Sequence, residues 1–347
     1  MIDKHLLYFN KMVSGFDDAL KSKPDMLNVT YYAFAGFKVR MRCLGTQLAM
    51  LHDRIFAHLK RKEKSPINNF DLTIDIWDKS KTGISGPIES ISEKPVKLRT
   101  VTCSADSRIV ASQDSETSLF LDRKEKRIIA SFASAGKMNN YDLSKPFNKL
   151  LALWYRDMNI EIIHASMISK KGKGILFLGK GGSGKTTAAL SCLNAGFNYL
   201  GDDHVGLSWK DNSFTGHSLY ASALIYANHL KRFPQLQKFE MKNNFNNSEK
   251  SIIYFSNGYL NKIDKYAEIS VLLLPVVGNS KHTNFRKAGK SETLLAIAPS
   301  SLRLQISPNQ KGFDIISRLV DKIPAYWIEL GNELDGIADR VNEIIGF

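Results

Sequence analysis

The chain has 347 residues, more than one hydrophobic core usually organises, so about two domains are expected. Its 43% hydrophobic and 24% charged residues are ordinary for a soluble globular protein. The formal net charge of +14 invites a nucleic-acid partner, but the surplus of 48 Lys and Arg over 34 Asp and Glu is spread over both halves of the chain, which argues against one. The densest basic cluster, Lys60 to Lys64, closes an expected helix, where cations complement the helix dipole. Cys43, Cys103 and Cys192 are too scattered for a disulfide framework or a metal knuckle, so a reducing, cytoplasmic location is expected. The N-terminal residues show no secretory pattern. The longest strongly apolar stretch, Val271 to Val277, contains Pro275 and is too short to span a bilayer, so no membrane span is expected.

Taken in chain order, Ala33 to Arg42 reads as a strand, and residues 46–60 place Leu48, Leu51, Ile55, Phe56 and Leu59 at helical spacing. Asp71 to Trp77 alternates as a half-buried strand does, and residues 79–98 read as a connection. Two β-like runs, around Ser118–Leu121 and Arg127–Ala130, flank the charged residues 122–126 and predict a hairpin. Ser144-Lys145-Pro146 reads as a helix start, and the domain boundary is placed near residue 140. A strand over Ile160 to Ile168 and a turn at residues 170–174 follow. Residues 236–251, rich in Asn and Lys, read as a surface loop, and Leu334, Ile337, Val341 and Ile344 share one face of a C-terminal packing helix.

The most informative segment is Gly-Lys-Gly-Gly-Ser-Gly-Lys-Thr-Thr at 179–187. Gly179, Gly184, Lys185 and Thr186 fit the phosphate-binding pattern of two glycines five apart followed by Lys and Ser or Thr. Glycines let the backbone turn tightly and aim several N–H groups at one anion. Lys185 brings a positive charge to the phosphates, and the Thr186 hydroxyl suits Mg2+. The apolar run Ile175 to Leu178 precedes it as a buried strand, and Lys185 to Ala195 follows as a helix ended by Gly196. A strand, a glycine loop and a helix N-terminus together make an anion site.

One helix later, Tyr199-Leu200 reads as the end of another strand, from which Asp202 and Asp203 emerge. Side-chain alternation along a strand predicts that the two acids differ in environment. One can hold Mg2+, and the other can accept the proton of an attacking hydroxyl.

His164 through Leu207 resembles the catalytic core of the HPr kinase/phosphorylase family, in which a His-bearing strand precedes a phosphate loop and an Asp-Asp pair follows the next helix. Gly201-Asp202-Asp203 is similar, more distantly, to a segment of the phosphoenolpyruvate carboxykinases. Weaker likeness extends through Leu272 to Pro275 and Ile323 to Tyr326, and the N-terminal half resembles the accessory domain of HPr-kinase-related proteins found beside peptide-biosynthesis genes. The fold class implied is α/β: a P-loop carboxykinase-like nucleotide domain over residues 141–347, preceded by a smaller mixed α/β accessory or substrate-recognition domain over residues 1–140.

By this resemblance Gly181, Gly182, Ser183, Gly184, Lys185, Thr186 and Thr187 bind the phosphates of ATP. Asp202 joins Thr186 in serving Mg2+, and Asp203 is the catalytic base. His164 matches the family His near the acidic pair, where it tunes the aspartates or touches phosphate, so that Asp203, Lys185 and His164 form the implied catalytic set. A cation for developing charge is also expected, with Arg232, Arg286 and Arg303 as candidates. The glycine- and arginine-containing segment that the family places late in the chain has no clear copy, which puts its reverse, phosphorylase activity in doubt. The implied activity is an ATP-dependent, Mg2+-requiring kinase acting on a serine-type hydroxyl of a peptide, a protein or a small metabolite. A nucleotide-binding regulator without turnover, or carboxykinase-like chemistry on a small organic acid, are the alternatives. The family forms hexamers, so a homo-oligomer is among the expectations.

Overall fold

The computed structural model describes residues 3–61, 69–87, 99–241, 249–302 and 310–346. Contacts divide the chain into two compact units, one holding Met1–Trp154 and the other beginning at Tyr155. Each is a mixed α/β body.

The N-terminal unit runs α1 (Lys4–Ser22), β1 (Leu27–Phe34), β2 (Phe37–Leu44), α2 (Thr46–Phe56), β3 (Leu72–Asp78), α3 (Lys79–Thr82), β4 (Thr100–Cys103), β5 (Ile109–Gln113), β6 (Thr117–Asp122), β7 (Arg127–Phe132) and α4 (Asn140–Ser144), with α5 (Asn148–Asp157) spanning the division. Its seven strands lie in the order β1-β2-β3-β7-β6-β5-β4. Phe9, Met12, Phe16 and Ala19 of α1 pack against Leu44, Trp77, Ile109, Ala111, Phe120 and Ile129 on one face of the sheet. That places the periodic apolar stripe of α1 where it removes most surface from water.

Several sequence expectations change here. Ala33 to Arg42 is not one strand but the meeting of β1 and β2, which pair antiparallel around Ala35 (φ 48°) and Gly36 (φ 91°); two left-handed residues in succession make a tight hairpin turn. The expected helix over residues 46–60 is α2, finished by a short 3-10 turn at Ala57–Leu59. β3 is buried on both faces rather than one, because it is a central strand that runs parallel to both of its neighbours, β2 and β7. The hairpin is present as β6 and β7, with Asp122 opposite Arg127. Ser144 ends α4 instead of starting a helix; Phe147 takes a left-handed φ of 57°, and α5 begins at Asn148. Residues 88–98 of the expected connection and residues 62–64 of the basic cluster lie outside the described residues.

The C-terminal unit contains β8 (Glu161–Ile163), β9 (Ala165–Lys170), β10 (Lys173–Leu178), α6 (Lys185–Asn194), β11 (Asn198–Gly201), β12 (Val205–Lys210), β13 (Ser213–His217), β14 (Ser222–Tyr226), α7 (Ala227–Leu230), α8 (Pro234–Gln237), β15 (Glu240–Met241), β16 (Lys250–Tyr254), β17 (Tyr266–Val277), β18 (Asn284–Lys287), α9 (Lys290–Leu302), α10 (Gln310–Lys322), β19 (Ala325–Leu330) and α11 (Asp335–Ile345). Nine of these strands form one sheet, in the order β11-β9-β10-β17-β13-β12-β8, with β19 joining β17 and β18 joining β19; β14, β16 and β15 form a small separate sheet. β10 is apolar at successive positions because both its faces are covered. Leu176 and Leu178 belong to a core with Ile297 of α9 and Ile316 and Leu319 of α10. Ile175 and Phe177 belong to another with Ala188 and Cys192 of α6 and Ile337 and Val341 of α11.

The expected strand over Ile160 to Ile168 is interrupted at His164. β8 pairs with β12, whereas β9 pairs with β10 and β11, so the chain changes neighbours at that residue. The stretch 236–251 is more ordered than a loop: Glu240 and Met241 pair with Ile253 and Ile252 of β16, while residues 242–248 lie outside the described residues. The C-terminal helix is α11, with Ile337, Val341 and Ile345 buried. No helix among the described residues is long and apolar enough to cross a membrane.

Candidate functional site

The sheet order brings the singled-out residues to one edge. β17 runs parallel to β10, and β9 runs antiparallel to both β10 and β11, so β10 and β11 point the same way. The loop after β10, the acids after β11 and His164 just before β9 therefore emerge side by side. Leu178 is paired with Ala165, and Gly201 with Met167. The ends of β17 and β19, where Val277 is paired with Leu330, reach the same edge. Such an edge, at the carboxyl ends of parallel strands, is where open α/β sheets hold ligands.

The glycine loop owes its shape to three left-handed residues, Gly179 (φ 146°), Gly182 (φ 80°) and Gly184 (φ 101°). Gly184 is the N-cap of α6, and a Cβ there would lie 2.4 Å from Leu330 Cδ1. Around Gly181 and Gly182 a Cβ would meet nothing within 4 Å, so this part of the loop backbone stands open to an approaching group. Lys185 folds back over the loop: its Nζ donates to the carbonyls of Gly179 (2.9 Å) and Lys180 (3.0 Å). Burial lowers the pKa of its ammonium, Asp203 and Asp202 oppose that shift, and the nearby charge of Lys250 adds to it.

The acidic pair is tied to this helix. Thr186 Oγ1 donates to Asp202 Oδ1 at 2.9 Å, and Ser166 Oγ of β9 donates to the same oxygen. The two acids differ in environment, with side-chain exposure of 25% for Asp203 and a residue exposure of 2% for Asp202. The cause is not strand alternation. β11 ends at Gly201, and Asp203 takes a left-handed φ of 63° that turns it away from its neighbour's course. His164 Nδ1 lies 3.2 Å from the Asp203 carbonyl oxygen and 3.8 Å from its Oδ1. His204 is buried edge-on to Tyr220.

A cavity of about 310 Å3 opens over these groups. His164, Gly181, Gly182, Gly184, Lys185, Thr186, Thr187 and Asp203 all lie on its wall. Gly179, Ser183 and Asp202 do not, and Asp202 reaches the site through Thr186. Of the candidate cations, Arg232 lines the cavity and donates to the Asn332 carbonyl at 3.0 Å. Arg286 lies elsewhere, paired with Glu292 at 2.9 Å and set against the Trp327 ring. Arg303 falls outside the described residues.

The wall also carries Tyr226, His229 and Lys250, which sequence reasoning does not single out. Tyr226 and Lys250 are register partners on β14 and β16, and the Lys250 ammonium stands 4.9 Å from the Tyr226 ring centroid. Ser166 is missed as well. Its place beside Met167 and Ile168 on β9 was the available signal: a Ser within an apolar strand needs a hydrogen-bond partner when buried.

Thr186, Asp202 and Asp203 supply only hard oxygen donors, which suits Mg2+. Among the described residues no three or more His, Cys, Asp or Glu side chains are grouped so as to hold a metal ion by themselves.

No protein-family model matches the chain, and no curated protein matches its sequence. Among solved structures, the chain is distantly similar to the Hpr(Ser) kinase/phosphatase from Coxiella burnetii, at 12% identity over 54% of this chain and 93% of that one, with a TM-score of 0.31.

Proposed function

We propose that this protein is an ATP-dependent phosphotransferase that moves a phosphoryl group to a serine-type hydroxyl of a peptide, a protein or a small metabolite. The observation that carries this reading is the 2.9 Å hydrogen bond from Thr186 to Asp202, which ties the helix of the glycine loop to an acidic pair whose second member, Asp203, lines the cavity. A nucleotide-binding loop alone would serve many functions; a loop joined to a partly exposed second carboxylate can also handle an acceptor's proton.

In this reading the loop amides and Lys185 hold the phosphates. Thr186 and Asp202 would hold Mg2+, which supplies charge neutralisation between the phosphates when bound. Asp203 accepts the hydroxyl proton, with His164 beside it held at the Asp203 backbone carbonyl. Arg232 and Lys250, the cations of the cavity wall besides Lys185, face negative charge that develops during transfer. The N-terminal unit would serve as the accessory or acceptor-recognition part.

The test is transfer from labelled ATP, with Mg2+, to a panel of hydroxyl-bearing peptides, proteins and metabolites. Transfer that is lost in Asp203→Asn and in Lys185→Ala supports the reading. Transfer that survives both substitutions means that the site is elsewhere, and nucleotide binding without any labelled product favours a regulator.

A further inference from the structure

The N-terminal unit carries a second built pocket, of about 190 Å3, lined by Phe9, Arg40, Arg42, Thr73, Glu125 and Arg127. Its origin is legible in the strand register. Arg40 lies opposite Thr73, and Thr73 opposite Arg127, so one row across β2, β3 and β7 reads Arg-Thr-Arg. Two residues further along the same face, Arg42 lies opposite Asp75. The face that is apolar beneath α1 at Leu44, Trp77 and Ile129 thus becomes an arginine cluster beyond it.

Two of the three arginines have a structural task. Asp75 is fully buried, and its carboxylate accepts from Arg42 Nε (2.6 Å) and Nη2 (2.7 Å) and from Arg127 Nε (2.7 Å). One buried carboxylate therefore faces two guanidinium forks. Among the described residues Arg40 has the weakest engagement: its Nη2 makes a long 3.4 Å contact with Thr73 Oγ1, its guanidinium lies 4.8 Å from the Phe70 ring centroid, and its buried Nε meets no acceptor there. Glu125, on the rim, is 59% exposed and lies 3.7 Å from Arg108. Asp75 thus engages two of the three arginines, Asp17 also acts on Arg42, and Glu125 stands at the rim, in a concave site that Phe9 lines on its apolar side.

We infer that this pocket binds the carboxylate of a small organic acid or of an acidic residue in a peptide, held by Arg40 with support from Arg42 and Arg127. A planar guanidinium fork matches a carboxylate in two parallel hydrogen bonds, as Asp75 already demonstrates within the same cluster. Phe9 gives the aliphatic part of such a ligand a surface to rest on. The inference concerns the N-terminal unit alone and stands whether or not the C-terminal unit transfers phosphate.

The experiment is calorimetric titration of the full chain with three probes: glutarate, the capped tripeptide acetyl-Ala-Glu-Ala-amide and inorganic phosphate, with the Gln version of the peptide as control. The expected result is that glutarate or the Glu peptide binds, that the Gln peptide does not, and that Arg40→Gln raises the dissociation constant at least tenfold. Arg286→Gln, which removes an equal charge in the other unit, leaves it unchanged. Binding of the peptide alone identifies a peptide-borne carboxylate, and binding of glutarate alone identifies a free acid. The inference is overturned if neither carboxylate binds, if phosphate alone binds, or if Arg40→Gln and Arg286→Gln weaken binding equally. Should Arg40→Gln not fold, the Arg40 Nε–H resonance of the unmodified protein gives the answer: it shifts on adding the binding probe, and an unmoved resonance sinks the idea.

Discussion

Thr186 and Asp202 share a hydrogen bond of 2.9 Å, and a second hydroxyl, that of Ser166, donates to the same carboxylate oxygen. The first turn of the loop helix and the strand beside it thus fix one acid from two directions. Removing the outer hydroxyl in Ser166→Ala should loosen Asp202 without touching nucleotide. The Mg2+ concentration for half-maximal transfer is expected to rise roughly 10- to 100-fold, while the rate at saturating Mg2+ stays close to that of the parent protein. An unchanged Mg2+ titration would remove Asp202 from the metal's vicinity.

In the proposed reading Asp203 combines a chemical role with a backbone one. Asn tolerates the left-handed region, so Asp203→Asn should fold normally and lower the transfer rate roughly 10²- to 10⁴-fold. Asp203→Val places a β-branched residue at φ 63° and should in addition cost about 1–2 kcal/mol of stability. Thermal denaturation beside kinetics separates the two; equal melting temperatures for Asn and Val variants would contradict the strained backbone.

The cation at the site can be chosen by substitution. Arg232→Ala and Lys250→Ala should each lower the rate, by roughly 10²- to 10³-fold for whichever contacts developing charge. Arg286→Ala should leave it unaltered, since Arg286 is engaged by Glu292 and Trp327 outside the cavity. A reversed pattern would displace the proposed site.

Two loop glycines should respond in opposite ways. Gly184→Ala meets Leu330 at 2.4 Å with φ at 101°, so a loss of roughly 1–3 kcal/mol is expected on unfolding. Gly181→Ala meets nothing and should keep the parent stability, yet weaken nucleotide binding by putting a methyl group where the backbone must approach phosphate. Denaturant midpoints and nucleotide titration of both variants check this.

Burial lowers the His52 pKa from 6.5 to about 4, with a 2.8 Å contact from its Nδ1 to the Leu48 carbonyl opposing the shift. The folded state thus binds fewer protons than the unfolded one between those values. The contribution of His52 is fully present above pH 6.5 and is lost as pH falls toward 4, by at most about 3 kcal/mol. His217 in the other unit, likewise lowered to about 4 by burial, adds in the same direction. Urea midpoints from about pH 7 to about pH 4.5 should fall less steeply in His52→Phe, which keeps a ring against Phe147. An identical slope would mean that His52 does not titrate on unfolding.

Much of the candidate site is legible in the sequence alone, because glycine spacing, an apolar strand and a helix end are local signals. The approach of Asp202 to Thr186 follows from one helix intervening between two strands. The break at His164 is not legible: the stretch from Ile160 to Ile168 reads as one apolar run, and which neighbour each half pairs with depends on the rest of the sheet. Lys250 and Tyr226 escape for the same reason, since their meeting is a register between β14 and β16 and leaves no periodic trace in either segment. In the N-terminal unit the Ala35-Gly36 turn is hidden because alanine rarely adopts a positive φ. The Arg40, Thr73 and Arg127 row becomes visible only once three distant segments lie side by side.

The Lys185 ammonium rests on two carbonyl oxygens of its own loop, those of Gly179 and Lys180. A ligand that draws this lysine away competes with both oxygens, whereas the third N–H can be reached without displacing either. In the proposed reading the loop would keep its lysine docked on its own backbone until phosphate oxygens exchange for those carbonyls.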